Sequence, residues 1–445
     1  MIYAFLILAF VLIEAVLFIK YNTGIYLRSV FTVSIFVGYS LSLLLSLLDG
    51  YYEKFMLIQY NIHTVVFHAF ISLILFYVGW KIVNFKSQVI KDKGLDELVR
   101  KVSTLRVDKT ILYYVLFILC MFIIINLIFI LGKIEYIWDS PYGKNQGRYI
   151  SIIKSASLQK FLTVMYSVSV MVTIAISSVT FHKRKEWMIP VIIPVTTLCI
   201  GSILFIHNLS RGAGFPLFML AVTGLMIKGK QYWFKSMVMG LLAVYMGLVG
   251  LYARGHSTTG LKNYSVAFVE YFNTSLSNDD DSLRAPLYSL NPLDQIPPFT
   301  QVVLIRKYEK PSMLSALKGV IMQLNPLPTG MIGYHNIGIS SLREHLGVGN
   351  GITVPTMAQL YHPFGHYACL YWGLFGCYCG IIDRKIRTKP SIILYLAFLF
   401  TIYGMFIGLH SHFRSFIRPV GLGFILIVLD YFINSLNFRN RPDYF

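Results

Sequence analysis

Charge is scarce in this chain, and acidic charge is scarcest. Charged residues are 13% of the sequence, against about 25% in a soluble domain, so an ordinary soluble globular protein is excluded. Only 20 residues are acidic against 39 basic, a formal net charge of +19. That balance would suit nucleic acid. The basic residues, however, sit in short segments between apolar runs, the pattern that orients a membrane protein, so no nucleic-acid partner is expected. Cysteine is sparse too: Cys120, Cys199, Cys369, Cys377 and Cys379 all fall within apolar runs. They read as small core residues and offer no disulfide framework. P-loop and dinucleotide fingerprints are missing, as are internal repeats and low-complexity tracts.

Long apolar runs are what the chain has in their place. Hydrophobic residues reach 56%, and several stretches have the ~18–22 residues needed to cross a bilayer. The short alternating segments of a β-barrel do not occur. The expected fold is an all-α polytopic membrane protein with about 11 transmembrane helices and one large extracytoplasmic loop. The expected spans are Ile2–Ile19, Tyr26–Leu48, Ile62–Val83, Ile111–Gly132, Phe161–Phe181, Ile189–Ile206, Ala213–Ile227, Ser236–Tyr252, His362–Ile382, Pro390–Leu409 and Pro419–Asn434. The first has neither a basic n-region nor a small-residue cleavage site, and is expected to remain as a span. The chain thus divides into residues 1–252 with eight spans, a loop at 253–361, and residues 362–445 with three spans and a short tail.

Basic residues orient the whole. With the 86–109 linker in the cytoplasm, 22 Lys and Arg lie on that side and 17 on the other, eight of them in the long loop. Long loops carry little weight in this bias, which leaves 22 against 9 and puts the 253–361 loop outside the cytoplasm. Seven prolines from Pro286 to Pro328 keep any long helix from running through that loop. Its segments Phe299–Lys310 and Met313–Leu324 mix apolar and basic faces and are expected to lie on the membrane surface.

On the outward side the chain gathers groups suited to anionic ligands. Arg211 lies in the turn between spans six and seven, and Arg254 just past span eight. Each precedes a glycine, which lets a bulky ligand approach the backbone. His335, Arg343 and His345 come late in the loop, and Arg414 and Arg418 lie between spans ten and eleven. Guanidinium forks match phosphate oxygens, so this arginine set suits a lipid-linked pyrophosphate; lipid headgroups are the simpler ligand for any one of them. His335 or His345 would act as a general base on a sugar hydroxyl, because imidazole titrates near working pH; a structural role is the alternative for either. Trp138, Tyr142, Tyr334 and Tyr361 offer faces for stacking on sugar rings, although aromatics also collect at membrane interfaces. His410 with His412, and His362 with His366, lack a third ligand beside them, so no metal and no other cofactor is expected.

These pieces resemble the oligosaccharide repeat-unit polymerases, the O-antigen polymerase (Wzy) family. The likeness rests on the Ser210-Arg211-Gly212 turn before a span, Arg254 after the next outward span, and Leu324-Asn325-Pro326-Leu327-Pro328 late in the loop. It rests most on Glu344-His345-Leu346-Gly347, leading through Gly351-Ile352-Thr353-Val354-Pro355-Thr356 to Phe364-Gly365. The resemblance implies an enzyme of the bacterial inner membrane with its large loop on the periplasmic side. Its substrate would be an undecaprenyl-pyrophosphate-linked oligosaccharide, and the growing glycan would pass to the non-reducing end of the next lipid-linked unit. It implies arginines on pyrophosphate (Arg211, Arg254) and a loop histidine as base (His345), with membrane lipid, a flippase and a chain-length regulator as partners. Two alternatives stay open. A related glycan ligase differs only in acceptor, which nothing in the chain reads. A lipid-linked oligosaccharide flippase should bury paired charges at mid-membrane, and only Glu14 and His68 look placed for that.

Overall fold

The computed structural model describes residues 1–21, 26–41, 43–44, 56–85, 109–131, 134–139, 156–183, 199, 211–253, 260–276, 296–308, 312–324, 354–405, 409 and 413–439. Among them fourteen α-helices carry most of the residues, and no strand occurs. They are α1 (Ile2–Tyr21), α2 (Leu27–Phe36), α3 (Met56–Asn84), α4 (Lys109–Leu131), α5 (Ala156–Lys183), α6 (Phe215–Lys228) and α7 (Trp233–Tyr252). Then follow α8 (Leu261–Leu276), α9 (Ile296–Tyr308), α10 (Met313–Leu324), α11 (Thr356–Phe364), α12 (Cys369–Thr388), α13 (Ile392–Tyr403) and α14 (Phe413–Arg439). Among the described residues, four stretches can cross a membrane by length and composition: Ile2–Lys20, Asn61–Asn84, Phe215–Gly250 and Phe416–Ile433. The architecture is that of an all-α membrane-type protein. The third stretch is a hairpin, not one rod. Gly229 takes φ 69° at the end of α6, a conformation that favours glycine, and Ser236 Oγ donates to the Ala221 carbonyl at 2.9 Å across the pair. The expected span at 189–206 lies outside the described residues apart from Cys199.

The centre of the bundle is the crossing of α3 and α12. Lipid chains are as apolar as leucine, so helices in a membrane associate through close packing more than through water exclusion. Gly376 and Gly380 stand four apart on α12, and Gly79 faces them from α3. A Cβ at Gly376 would collide with the Phe76 carbonyl, one at Gly79 with the Gly373 carbonyl, and one at Gly380 would lie 3.0 Å from the Trp80 carbonyl. The backbones therefore run nearly in contact, and large rings fill the space beside them. Phe31 stacks on Phe76 with ring centroids 4.1 Å apart, and Trp372 packs against Phe31 at 5.4 Å.

Helix ends that the charge count assigns to one side meet in the structure. The Leu27 amide at the start of α2 donates to both carboxylate oxygens of Asp383 near the end of α12, at 3.1 Å each. Arg384 Nη1 donates to the Val83 carbonyl at the end of α3, 3.4 Å away. Lys230, between α6 and α7, reaches the Ile19 carbonyl at 3.4 Å. At the opposite end, the turn after α4 meets the start of α8, where the Lys262 amide donates to the Trp138 carbonyl at 3.0 Å.

The loop helices depart from the expectation. α9 does not lie on a surface with one face in water. Ile296, Phe299, Thr300, Val302 and Val303 are buried, and the helix runs antiparallel to α3. Lys307 Nζ donates to Asn61 Oδ1 at 3.2 Å, while Phe299 meets the His68 ring at 5.5 Å, two turns further along α3. Ile296, Phe299 and Val303 recur at i, i+3 and i+7, one helical face. A helix start is costly to bury because its first amides have no partner. α9 opens Ile296-Pro297-Pro298, and two of those residues have no N–H to leave unpaired. α10, by contrast, has the expected bounds, Met313–Leu324. The line drawn between residues 361 and 362 passes through α11. That helix is buried along nearly its whole length and stops at Gly365, φ 58°; the long helix on the other side of the break starts at Cys369. α14 begins at Phe413, so Pro419 sits inside it and not at its start.

Candidate functional site

α11 organises one end of the bundle, packed between α9 and α14. Gln359 on α11 is fully buried and holds two strands of chain in place. Its Nε2 donates to the Val354 carbonyl at 2.7 Å, and its Oε1 accepts from the Phe413 amide at 3.1 Å. That amide is the first of α14, an orphan donor that needs an acceptor. Gln359 thereby fixes where α14 starts, and with it the backbone positions of Arg414 and Arg418 one turn apart. Arg418 is half-buried.

One turn beyond Gln359, the His362 carbonyl accepts from Arg306 of α9. The Arg306 guanidinium also lies over the Tyr361 ring, 5.7 Å from its centroid. Gly365 makes room for it: a Cβ there would lie 2.7 Å from Nη2, and φ 58° is itself a conformation that strains any side chain. No carboxylate pairs with Arg306 among the described residues. Burial pulls this guanidinium below its ordinary pKa while the Tyr361 hydroxyl opposes the shift; the group stays charged, since arginine does not deprotonate in proteins. A guanidinium has five donors, and the described contacts occupy one. The arrangement can grip an oxyanion.

Deeper along α3 lies a second polar group. Cys369 Sγ is 3.2 Å from His68 Nδ1 and accepts from Ser72 Oγ at 3.4 Å. The His68 ring stands edge-on to Tyr361 at 5.0 Å and 6.1 Å from the His366 ring. His362 and His366 fall on either side of the Gly365 break, and no cluster of three or more His, Cys, Asp or Glu occurs among the described residues.

Of the residues expected at the site, Arg254, His335, Arg343 and His345 lie outside the described residues. Arg211 opens the 3-10 turn Arg211–Gly214 that leads into α6. Four residues on, Phe215 packs on Tyr403 with ring centroids 4.4 Å apart, and Tyr403 ends α13, which precedes α14. The backbones at Arg211, Arg414 and Arg418 therefore come to the same end of the bundle as Arg306. Trp138 is exposed beside the start of α8, where Lys262 pairs with Asp139 at 2.7 Å. Two features were not anticipated. Arg306 stands among the ionisable groups of the 253–361 loop in the sequence, but its role depends on α9 entering the bundle, for which the only sequence signal is the Pro-Pro start of a short apolar helix. The Gly376-Cys377-Tyr378-Cys379-Gly380 spacing, by contrast, is an open helix-packing motif.

The opposite end of the bundle holds the ion pair that Glu14 hinted at. Glu14 accepts hydrogen bonds from Ser29 Oγ at 2.5 Å and Tyr77 Oη at 2.7 Å and forms an ion pair with Arg28, whose Nε lies 2.9 Å away. Asp383 accepts from Trp80 Nε1 at 2.8 Å as well as from Leu27. Arg28 and Arg387 flank the Tyr26 ring at 4.5 and 3.8 Å.

No family model matches the chain, and no curated protein or solved structure is similar enough to it to count as a match.

Proposed function

We propose that the chain is a membrane glycosyltransferase that polymerises undecaprenyl-pyrophosphate-linked oligosaccharide units at the outer face of the bacterial inner membrane. The observation that carries this is Arg306: a guanidinium seated by loop helices, without a described carboxylate partner, at the bundle end that also receives Arg211, Arg414 and Arg418. Several arginines carried by one end of the bundle suit a pyrophosphate leaving group, whose charge grows as the glycosidic bond breaks. The base that takes the acceptor proton is assigned to His345, with His335 as the second choice, on the resemblance to O-antigen polymerases alone. Chemistry of this kind needs neither nucleotide sugar nor metal.

A second reading has an observation in its favour. Flippases carry buried charge pairs, and Glu14–Arg28 is one. Its carboxylate, however, already accepts two hydrogen bonds besides its cation, which suits a fixed staple better than a cargo site. Complementation separates the readings. In a host lacking the gene, Arg306→Ala, Arg254→Ala and His345→Ala are each expected to reduce a long surface-glycan ladder to single units, with the protein still in the membrane. Arg306→Lys keeps the charge but loses the fork and should recover little. Deletion that removes even single units would indicate a flippase, and deletion that strands long lipid-linked polymer a ligase. Full ladders from all three alanine variants would overturn the site.

A further inference from the structure

α10 belongs to the hydrophilic loop, yet its outward face is apolar. Met313, Leu314, Leu317 and Ile321 are 68, 65, 44 and 65% exposed. They recur at i, i+1, i+4 and i+8, one stripe along a helix. The other face is small: Ala316 is buried and Gly319 has no side chain, and this face seats α10 against α14 and α11. Lys318 is exposed at the flank of the stripe, placed for its stem to follow an apolar surface while the ammonium stays in water. The helix α10 rests on contains Phe416–Ile433, apolar and long enough to span a membrane, and its own exposed side chains include Phe424, Ile425, Leu429 and Phe432. A four-residue apolar stripe on a span-packed helix, with a basic flank, matches helices that lie in the membrane interface.

We infer that α10 is an in-plane anchor whose Met313–Ile321 stripe sits among lipid acyl chains of the outward leaflet, holding the α9–α11 segment at a set depth beside Arg414 and Arg418. The anchor stands apart from the glycan reaction, so either can fail alone.

The test uses full-length protein in vesicles of phosphatidylethanolamine and phosphatidylglycerol. Leu317→Cys and Lys318→Cys are treated with a membrane-impermeant maleimide, and the modified peptide is followed by mass spectrometry so that native thiols do not interfere. Leu317→Cys is expected to react at least about tenfold more slowly than Lys318→Cys, because a thiol in lipid does not ionise. A bimane placed at 317 should be quenched by lipids bearing a nitroxide in the chain, and one at 318 should not. Equal maleimide rates would overturn the anchor and put the stripe in water. Slow reaction without lipid quenching would overturn it in favour of a protein cover, and a Leu317→Cys disulfide dimer would identify that cover as a second copy. Ile321→Cys repeats the measurement should Leu317→Cys fail to accumulate.

Discussion

Asp383 and Gln359 perform one task at opposite ends of the bundle: each reaches from a neighbouring helix to cap the first amide of another, Leu27 of α2 and Phe413 of α14. Tyr26 before α2 makes no side-chain cap, and at each start a buried side chain from far away supplies the acceptor. Asp383 also takes the Trp80 indole proton. Hydrogen bonds to a charged group contribute about 1.5–3 kcal/mol each, so Asp383→Ala is expected to lower the melting temperature in detergent clearly, and Asp383→Asn less. Arg28→Ala should be harsher. It leaves Glu14 buried without its cation, a loss of about 3–5 kcal/mol for a broken buried pair. A melting temperature unchanged in Arg28→Ala would show that Glu14 is satisfied by Ser29 and Tyr77 alone. Asp383 itself went unremarked in the sequence because it stands one residue past the expected end of a span, where an acidic group looks solvated; its burial exists only when α2 and α3 close over it.

At the scale of elements, the contact between α3 and α12 depends on missing side chains. Gly376→Ile forces the helices apart, since the added atoms would meet backbone and not a movable side chain. Loss of the monodisperse peak in size-exclusion chromatography is the expected outcome. Gly240 is the control: a Cβ there meets nothing within 4 Å, and Gly240→Ala should keep the peak while adding up to about 1 kcal/mol of helix propensity. The loop helices teach a different lesson. The amphipathic pattern of α10 was enough to give its bounds. For α9 the same kind of pattern pointed to the wrong environment, because one apolar face is equally at home on lipid or on another helix, and α3 is the partner it takes.

For the whole molecule, the distribution of Lys and Arg makes a prediction about sides. Lys230 and Lys389 should be cytoplasmic and Lys262 outside. Cysteines placed singly at these positions and labelled in intact spheroplasts with an impermeant biotin-maleimide should react only at 262. Labelling at 230 would invert the molecule, move Arg306 to the cytoplasmic face and overturn the proposed chemistry at the outer face. The Lys230–Ile19, Arg384–Val83 and Leu27–Asp383 contacts place these ends together, so the side of one decides the side of all.

Composition alone settles that this is a helical, membrane-type chain, because the apolar length of a span and the short basic segments between spans are local properties that need no partner. It also marks Arg211, Arg414 and Arg418 as neighbours of span ends. The fold decides the rest. That α9 enters the bundle, that Gly365 opens space for Arg306 and that Gln359 sets the first turn of α14 are contacts between residues about 50 to 60 positions apart. Side chains acquire such roles only when helices pack, since burial and the search for a hydrogen-bond partner are properties of the closed bundle.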